Sequence, residues 1–553
     1  MDATLPAPPG APNSAANADN PAPAPVSAAP RRAAAARRGE TLALGAIALA
    51  LLVVAFVPFV TTAIDAARHH RVFLGATGQY PMDALQYLSW VSDAHNGLIR
   101  NLFGSAHDRA LFVHPMWSPA GWIQAATGVG DAAIIAFWTV VAGAVLFAGV
   151  VRLAWRYIPS ELPWRRPAAV LVAVFGGLTP VALYLQRSDR FFDLARAGGD
   201  LVPVASLWEY SPLVIALGLM PFAIEGVERL LAGEGRRRTA AATAVLGLGI
   251  TWLHPWQGAT FIVVVIGLVL WRRYDREQGS PRLPALVVVA AATALPLGYY
   301  LVLSRVDPGW AVSERTSVAA RIPWQEVAGG LVPLALIGAV AARRVIHDRA
   351  ARGLVLWAAA TLVVAGVSPS GQSRAIAGVA IPVGVLAVKA WPTARRSPRR
   401  MIAAAAALLA LLAPTAVFVI DLFGSLRPPS VAVDEELNPS DVRAARFAAT
   451  LAGPEPILST PELGTAIPAL TDKPTWVGHP VWTPNTVARW IAATSLFSGS
   501  MTTQHARAFV TSTAARVLVE PCASSVRLEP ALAPLGFREL TFGCAHVYTR
   551  AKT

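Results

Sequence analysis

Long apolar runs alternate with short basic clusters along most of this chain, and that pattern leaves few folds open to it. The first run, 41–64, is long enough to cross a bilayer, which takes about 20 apolar residues. Further runs follow at 131–152, 167–186, 211–232, 239–253, 257–271, 283–303, 326–342, 353–368, 375–390 and 401–424. Every second connection carries a basic cluster: Arg152/Arg156/Arg165/Arg166, Arg229/Arg236/Arg237/Arg238, Arg272/Arg273/Arg276/Arg282, Arg343/Arg344/Arg349/Arg352 and Lys389/Arg395/Arg396/Arg399/Arg400. Lys and Arg concentrate in cytoplasmic loops. The pattern predicts a mainly α, polytopic transmembrane bundle of about eleven spans. Its N-terminus lies inside and its C-terminus outside, in the plasma (inner) membrane of a cell.

Composition agrees. Of 553 residues, 54% are hydrophobic and 14% charged, against about 25% charged in soluble domains. The net charge of +14 lies in the loop clusters, so membrane lipids rather than nucleic acid are the expected partners. Residues 1–38, rich in Ala and Pro, cannot bury a core and read as a disordered cytoplasmic tail. The transmembrane domain is expected over 39–424, with an external loop at 65–130. Residues 425–553 should form a small extracytoplasmic α/β domain, with a helix at 440–452 and strands at 515–521, 536–540 and 546–550. The only cysteines, Cys522 and Cys544, both lie in it, and an oxidising compartment predicts that they pair.

The external loop is where chemistry is expected. Its segment PMDALQYLSWVSDAHNG (81–97) opens on Pro and ends on Asn-Gly, which reads as a helix lying on the membrane surface. At helical spacing Asp83, Tyr87, Trp90 and Gly97 share one face, and Leu85, Leu88, Ser92 and His95 the other. Asp83 is either a helix cap or a general base toward an incoming hydroxyl, with Tyr87 and Trp90 able to stack on a sugar. Asp93 and Asp108 are either surface charges or ligands to a hard cation; Asp93 is also a candidate substrate contact. The segment 111–122, with two Pro and two Trp, reads as a rigid non-helical return, with His114 toward a cavity. The turn TWLHPWQG (251–258) is either a tight hairpin or a re-entrant element carrying His254 toward a phosphate or sugar. Glu209, opening a span, is either a cap or a functional acid. Arg374 and then Arg321 are the outward cations best suited to a lipid-linked phosphate.

This layout resembles the GT-C superfamily of integral membrane glycosyltransferases, which includes protein O-mannosyltransferases, aminoarabinose transferases and actinobacterial arabinosyl- and mannosyltransferases. The resemblance rests on a large first external loop, an acid in its juxtamembrane helix (MDALQYLSWVSDAHNG), a multi-span body and a C-terminal external domain. It implies a polyprenyl-phosphate-sugar donor and a cell-envelope glycan, lipid or protein acceptor. It makes Asp83 the base, puts Arg374, Arg321 and His254 near the lipid phosphate, and brings a divalent cation such as Mg or Mn. Many relatives carry Asp-Glu or Asp-x-Asp where this chain has Asp83-Ala84. The segment WVGHPVWTP (476–484) resembles a Gly-His element of other members, which puts His479 on the acceptor side. A lipid-linked polysaccharide polymerase or ligase, and a transporter or flippase, are the rival functions.

Overall fold

The computed structural model describes residues 28–77, 81–104, 109–159, 164–176, 203–234, 237–276, 282–319, 336–368, 372–391 and 436–550, with isolated residues between 399 and 416. Arg321 and Asp108 lie outside the described residues, as do parts of the expected runs 167–186, 326–342 and 401–424.

The chain opens with helix α1, Ala28–Arg68. It begins inside the stretch 1–38 that composition marks as a tail, because AAPRRAAAARR is rich in Ala, the best helix former. After a short strand β1 (Val72–Phe73), helix α2 covers Pro81–Asp93 and continues as a 3₁₀ turn, Ala94–Asn96. Gly97, at φ 80°, ends it in the left-handed conformation open to glycine. Helix α3 covers Trp117–Thr127. It corrects the expectation of a non-helical return over 111–122: Pro119 falls in the first turn, where its missing N–H is not needed.

The body follows: α4 (Asp131–Tyr157), α5 (Arg165–Phe175), α6 (Ser211–Leu231), α7 (Arg237–Leu253), α8 (Pro255–Tyr274), α9 (Leu283–Val306), α10 (Pro308–Ala319), α11 (Arg352–Val367) and α12 (Ala380–Lys389). Among the described residues four helices are long and apolar enough to cross a membrane: Arg37–Arg68, α4, α8 and α9. The expected count of about eleven is coarser than this. Several expected spans are helices too short for that measure, such as α7 and α12, and α6 carries Glu225, Glu228 and Arg229.

The C-terminal region starts with β2 (Glu436–Leu437), antiparallel to β1 with Phe73 opposite Glu436. Four helices, α13 (Pro439–Leu451), α14 (Pro461–Thr471), α15 (Thr486–Phe497) and α16 (Thr503–Ser512), accompany a three-stranded antiparallel sheet in the order β3-β5-β4 (Val517–Glu520, Ala545–Arg550, Phe537–Phe542). The strands expected at 515–521, 536–540 and 546–550 are these three, and the helix expected at 440–452 is α13. Cys522 and Cys544 are disulfide-bonded across a separation of 22 residues.

The body is held by close helix crossings. Gly149 on α4 meets Gly218 on α6 so closely that a Cβ on Gly149 would lie 2.0 Å from the Gly218 carbonyl oxygen. Small residues at a crossing allow backbones to touch where lipid supplies no hydrophobic drive. The variant Gly149→Ala should therefore lose about 1–3 kcal/mol by overpacking. Thermal unfolding in detergent reads this, and Gly45→Ala on α1, whose Cβ meets nothing within 4 Å, should lose nothing.

Candidate active site

Helix α2 positions the site because its two faces are buried in two different cores. Ala84, Leu85 and Leu88 pack with Leu437, Val442, Leu463 and Ile467 of the C-terminal domain. Tyr87, Trp90, Val91 and Ala94 pack with the transmembrane body. These are the two faces that helical spacing separates. Ser92 Oγ donates to the Pro468 carbonyl at 2.8 Å, which ties α2 to α14.

The first loop is stitched to both halves. Val113 N–H donates to the Tyr299 hydroxyl at 2.8 Å, and the Trp252 indole N–H donates to the Val113 carbonyl at 3.0 Å. On the other side Thr475 N–H donates to the Leu102 carbonyl at 2.8 Å and Arg489 to the Gly104 carbonyl at 3.1 Å.

Asp83, in the first turn of α2, meets His479 across a separation of 396 residues: Nε2 lies 2.8 Å from Oδ1. His479 Nδ1 accepts the Val481 N–H at 3.2 Å. With Nδ1 an acceptor, the neutral ring carries its proton on Nε2 and donates it to the carboxylate. The imidazole is buried, at 2% side-chain exposure, and the carboxylate is 30% exposed. The two residues singled out at opposite ends of the sequence thus form one pair.

His479 lines a cavity of about 610 Å³ between α2, α8, α9, α10 and α11. Its walls are aromatic. Tyr87 stacks on Trp117 (5.3 Å between centroids, 11°) and on Tyr210 (5.4 Å, 28°). Trp90 meets Phe112 and Trp482 edge-on at 5.1 and 5.5 Å. Arg374 lines the same cavity and sits over the Trp256 ring at 5.8 Å. Tyr210 lies within electrostatic reach of both Asp83 and Arg374. Asp83 is not itself a lining residue; its partner His479 and its neighbour Tyr87 are.

The other predicted residues divide. His114 lines the cavity and is also structural: its Nδ1 accepts the Met116 and Trp117 N–H groups at 3.2 and 3.3 Å, at the start of α3. His254 is fully buried behind Tyr210 and Trp256, 5.5 and 5.4 Å from their centroids. Both its ring nitrogens, Gln257 Oε1 and Thr260 Oγ1 have no hydrogen-bond partner among the described residues. This buried stripe on α8 is polar surface that a ligand or water would satisfy. Glu209 closes a short helix, Ser206–Glu209, and its side chain lies outside the described residues. Trp256, Trp310, Tyr300 and Trp482 are cavity residues that sequence patterning missed. Trp256 and Trp482 stand two and three residues after the His of two of the three His-Pro segments, which is the signal that pointed nearest to them.

Asp93 has another use. Its two carboxylate oxygens accept from Arg100 Nε and the Arg100 backbone N–H, both at 2.8 Å. Burial pushes its pKa up while Arg100 pulls it down, and the net is above the usual carboxylate value. It does not line the cavity, and its two bonds to Arg100 fold residues 97–100 back onto the end of α2. Among the described residues the carboxylate and imidazole at Asp83 are joined by no third ligand; the one group of three potential ligands is Asp65, His69 and Glu436.

No protein-family model and no curated protein matches the chain. Solved structures to which it is similar are membrane glycosyltransferases of the GT-C superfamily. ArnT from Cupriavidus metallidurans is 17% identical, with 94% of this chain and 100% of that one covered and a TM-score of 0.44. The oligosaccharyltransferase AglB from Archaeoglobus fulgidus, in complex with an inhibitory peptide and a dolichol-phosphate, is 14% identical, with 91% and 74% covered and a TM-score of 0.40. A structure of the Archaeoglobus oligosaccharyltransferase with Zn and sulfate is 15% identical, with 86% and 67% covered and a TM-score of 0.42.

Burial holds the His114 pKa down at about 3, from an ordinary value of 6.5. The unfolded chain takes up this proton near pH 6.5 and the folded chain does not, so the contribution is present above pH 6.5 and lost progressively as pH falls toward 3. His114→Asn keeps an acceptor and removes the titration. Its unfolding temperature should fall less steeply than that of the wild type between pH 7 and pH 4, measured in detergent.

Proposed function

We propose that this protein is a membrane glycosyltransferase that moves a sugar from a polyprenyl-phosphate donor to a hydroxyl acceptor of the cell envelope. The observation that carries this is the Asp83–His479 pair beside an aromatic cavity whose lining includes Arg374. An aromatic wall suits the apolar faces of sugar and prenyl chain. A guanidinium suits a phosphate. A partly exposed carboxylate, fixed by a buried imidazole, suits a hydroxyl that must lose a proton. The site is extracytoplasmic, since the first loop and the C-terminal domain both face outward in the topology set by the basic clusters.

The step is a single displacement. Asp83 takes the proton of the acceptor hydroxyl as its oxygen bonds to the anomeric carbon. The bond from that carbon to the phosphate oxygen breaks, and the electron pair leaves with the polyprenyl phosphate. The configuration at carbon inverts. His479 is a positioning residue: its Nε2–H holds Oδ1, and its own tautomer is held by Val481. Arg374 offsets the charge that develops on the leaving phosphate. Tyr87, Trp90 and Trp482 shape the sugar pocket, and the polar stripe at His254 lies behind Tyr210 and Trp256, on the Arg374 side.

The test compares wild type, Asp83→Asn and His479→Gln in lipid, with a panel of polyprenyl-phosphate sugars, reading release of polyprenyl phosphate and thermal stabilisation by donor. Loss of a general base costs about 10²–10⁴-fold in kcat, so Asp83→Asn should bind donor and fail to turn over. His479→Gln should lower kcat with KM for donor unchanged, and should change the pH profile of kcat. Full activity in Asp83→Asn would put the base elsewhere. Donor-independent stability together with substrate flux across the bilayer would favour the transporter instead.

A further inference from the structure

At the outer end of α1, away from the cavity, three potential metal ligands converge. Asp65, in the last turn of α1, and His69, just past its end, stand one turn apart on one side. His69 Nδ1 lies 3.4 Å from Asp65 Oδ1, and both side chains are exposed, at 63% and 53%. Glu436 comes from β2, the first strand of the C-terminal region, directly opposite Phe73 of β1. The Phe73 ring packs edge-on against Phe59 of α1 at 5.0 Å, which holds this strand pair against the helix. One ligand atom from each of Asp65, His69 and Glu436 lies within 4.8 Å of the others.

Glu436 is the second observation. The residue is only 6% exposed. No hydrogen bond or ion pair to its carboxylate occurs among the described residues, although the charges of Asp65, His69 and Arg71 reach it. A carboxylate on a residue this buried is costly without a partner, and this one faces another acid, Asp65. Two carboxylates and one neutral imidazole supply two negative charges and mixed O and N donors, which suits a divalent cation of the zinc type. Ligands about 2.1 Å from such an ion stand roughly 3.4 Å apart. Asp65 and His69 are exposed and can swing by the remaining ångström or so, and their open side leaves room for water as the fourth ligand.

We infer that Asp65, His69 and Glu436 form a divalent-cation site that clamps the first membrane helix to the C-terminal domain. The ion is structural: it joins two segments 367 residues apart between His69 and Glu436 (436 − 69), and none of its ligands lines the cavity. It stands independently of the proposed glycosyl transfer.

The test uses the full chain in detergent, stripped with a chelator and dialysed, then titrated with ZnCl₂ alone. Bound zinc per chain is read by elemental analysis, affinity by calorimetry and stability by thermal unfolding. The wild type should take up one zinc per chain and unfold at a higher temperature. Glu436→Gln and His69→Ala should each bind zinc at least about tenfold more weakly and lose the temperature shift. Asp65→Asn, an exposed substitution that leaves the buried strand intact, should lose both in the same way if Glu436→Gln does not fold. No stoichiometric zinc in the wild type overturns the proposal, as does equal binding by wild type and variants. Equal affinity for Mg²⁺ overturns the assignment of an imidazole ligand.

Discussion

Everything else in the molecule depends on α2 being buried on both sides. An amphipathic helix normally has one apolar face and one wet face. Here Leu85 and Leu88 fill the C-terminal core while Tyr87, Trp90 and Val91 fill the transmembrane core. Of the thirteen residues of α2, ten are buried, so neither half can leave without exposing an apolar face. Asp83 lies in the first turn of this wedge, and its partner His479 is delivered by the domain on the far side. The pair exists only when both halves are assembled.

Buried imidazoles and paired charges shape the surroundings. His114 and His479 both accept backbone N–H groups at Nδ1, which leaves the proton on Nε2 in each. Burial keeps the His114 ring uncharged in its apolar wall. At the other end of the body the acids of α6 are neutralised locally. Glu225 accepts from Arg152 at 2.6 and 2.7 Å and from Arg229 at 2.6 Å, and Glu228 from Arg156 at 2.6 Å and from the Tyr157 hydroxyl at 2.8 Å. Ionisable groups are costly at membrane depth unless paired. Arginines of the basic clusters thus discharge the acids of a neighbouring helix.

The parts legible in advance were those with a strict local period. The two faces of 81–93, the helix at 439–451 and the alternating strands before and after Cys544 follow from spacing alone. Helix α3 was hidden because two prolines mark a break, and only Pro115 falls before the helix while Pro119 joins its first turn. The Asp93–Arg100 pair was not legible because Arg100, seven residues on, is not at a helical spacing from Asp93. The turn at Gly97 brings it back.

By itself the sequence determined the apolar helical body, the α/β character of the C-terminal region and the cysteine pair, and it marked Asp83 and His479. Those follow from composition, period and charge, which act over a few residues at a time. Only the tertiary structure decided that Asp83 and His479 bond, that Trp482 and Trp256 wall one cavity with Arg374, and that Glu436 returns to Asp65 and His69. Each of these joins segments more than a hundred residues apart. Such contacts are chosen by the packing of whole helices and domains, for which no short-range pattern exists.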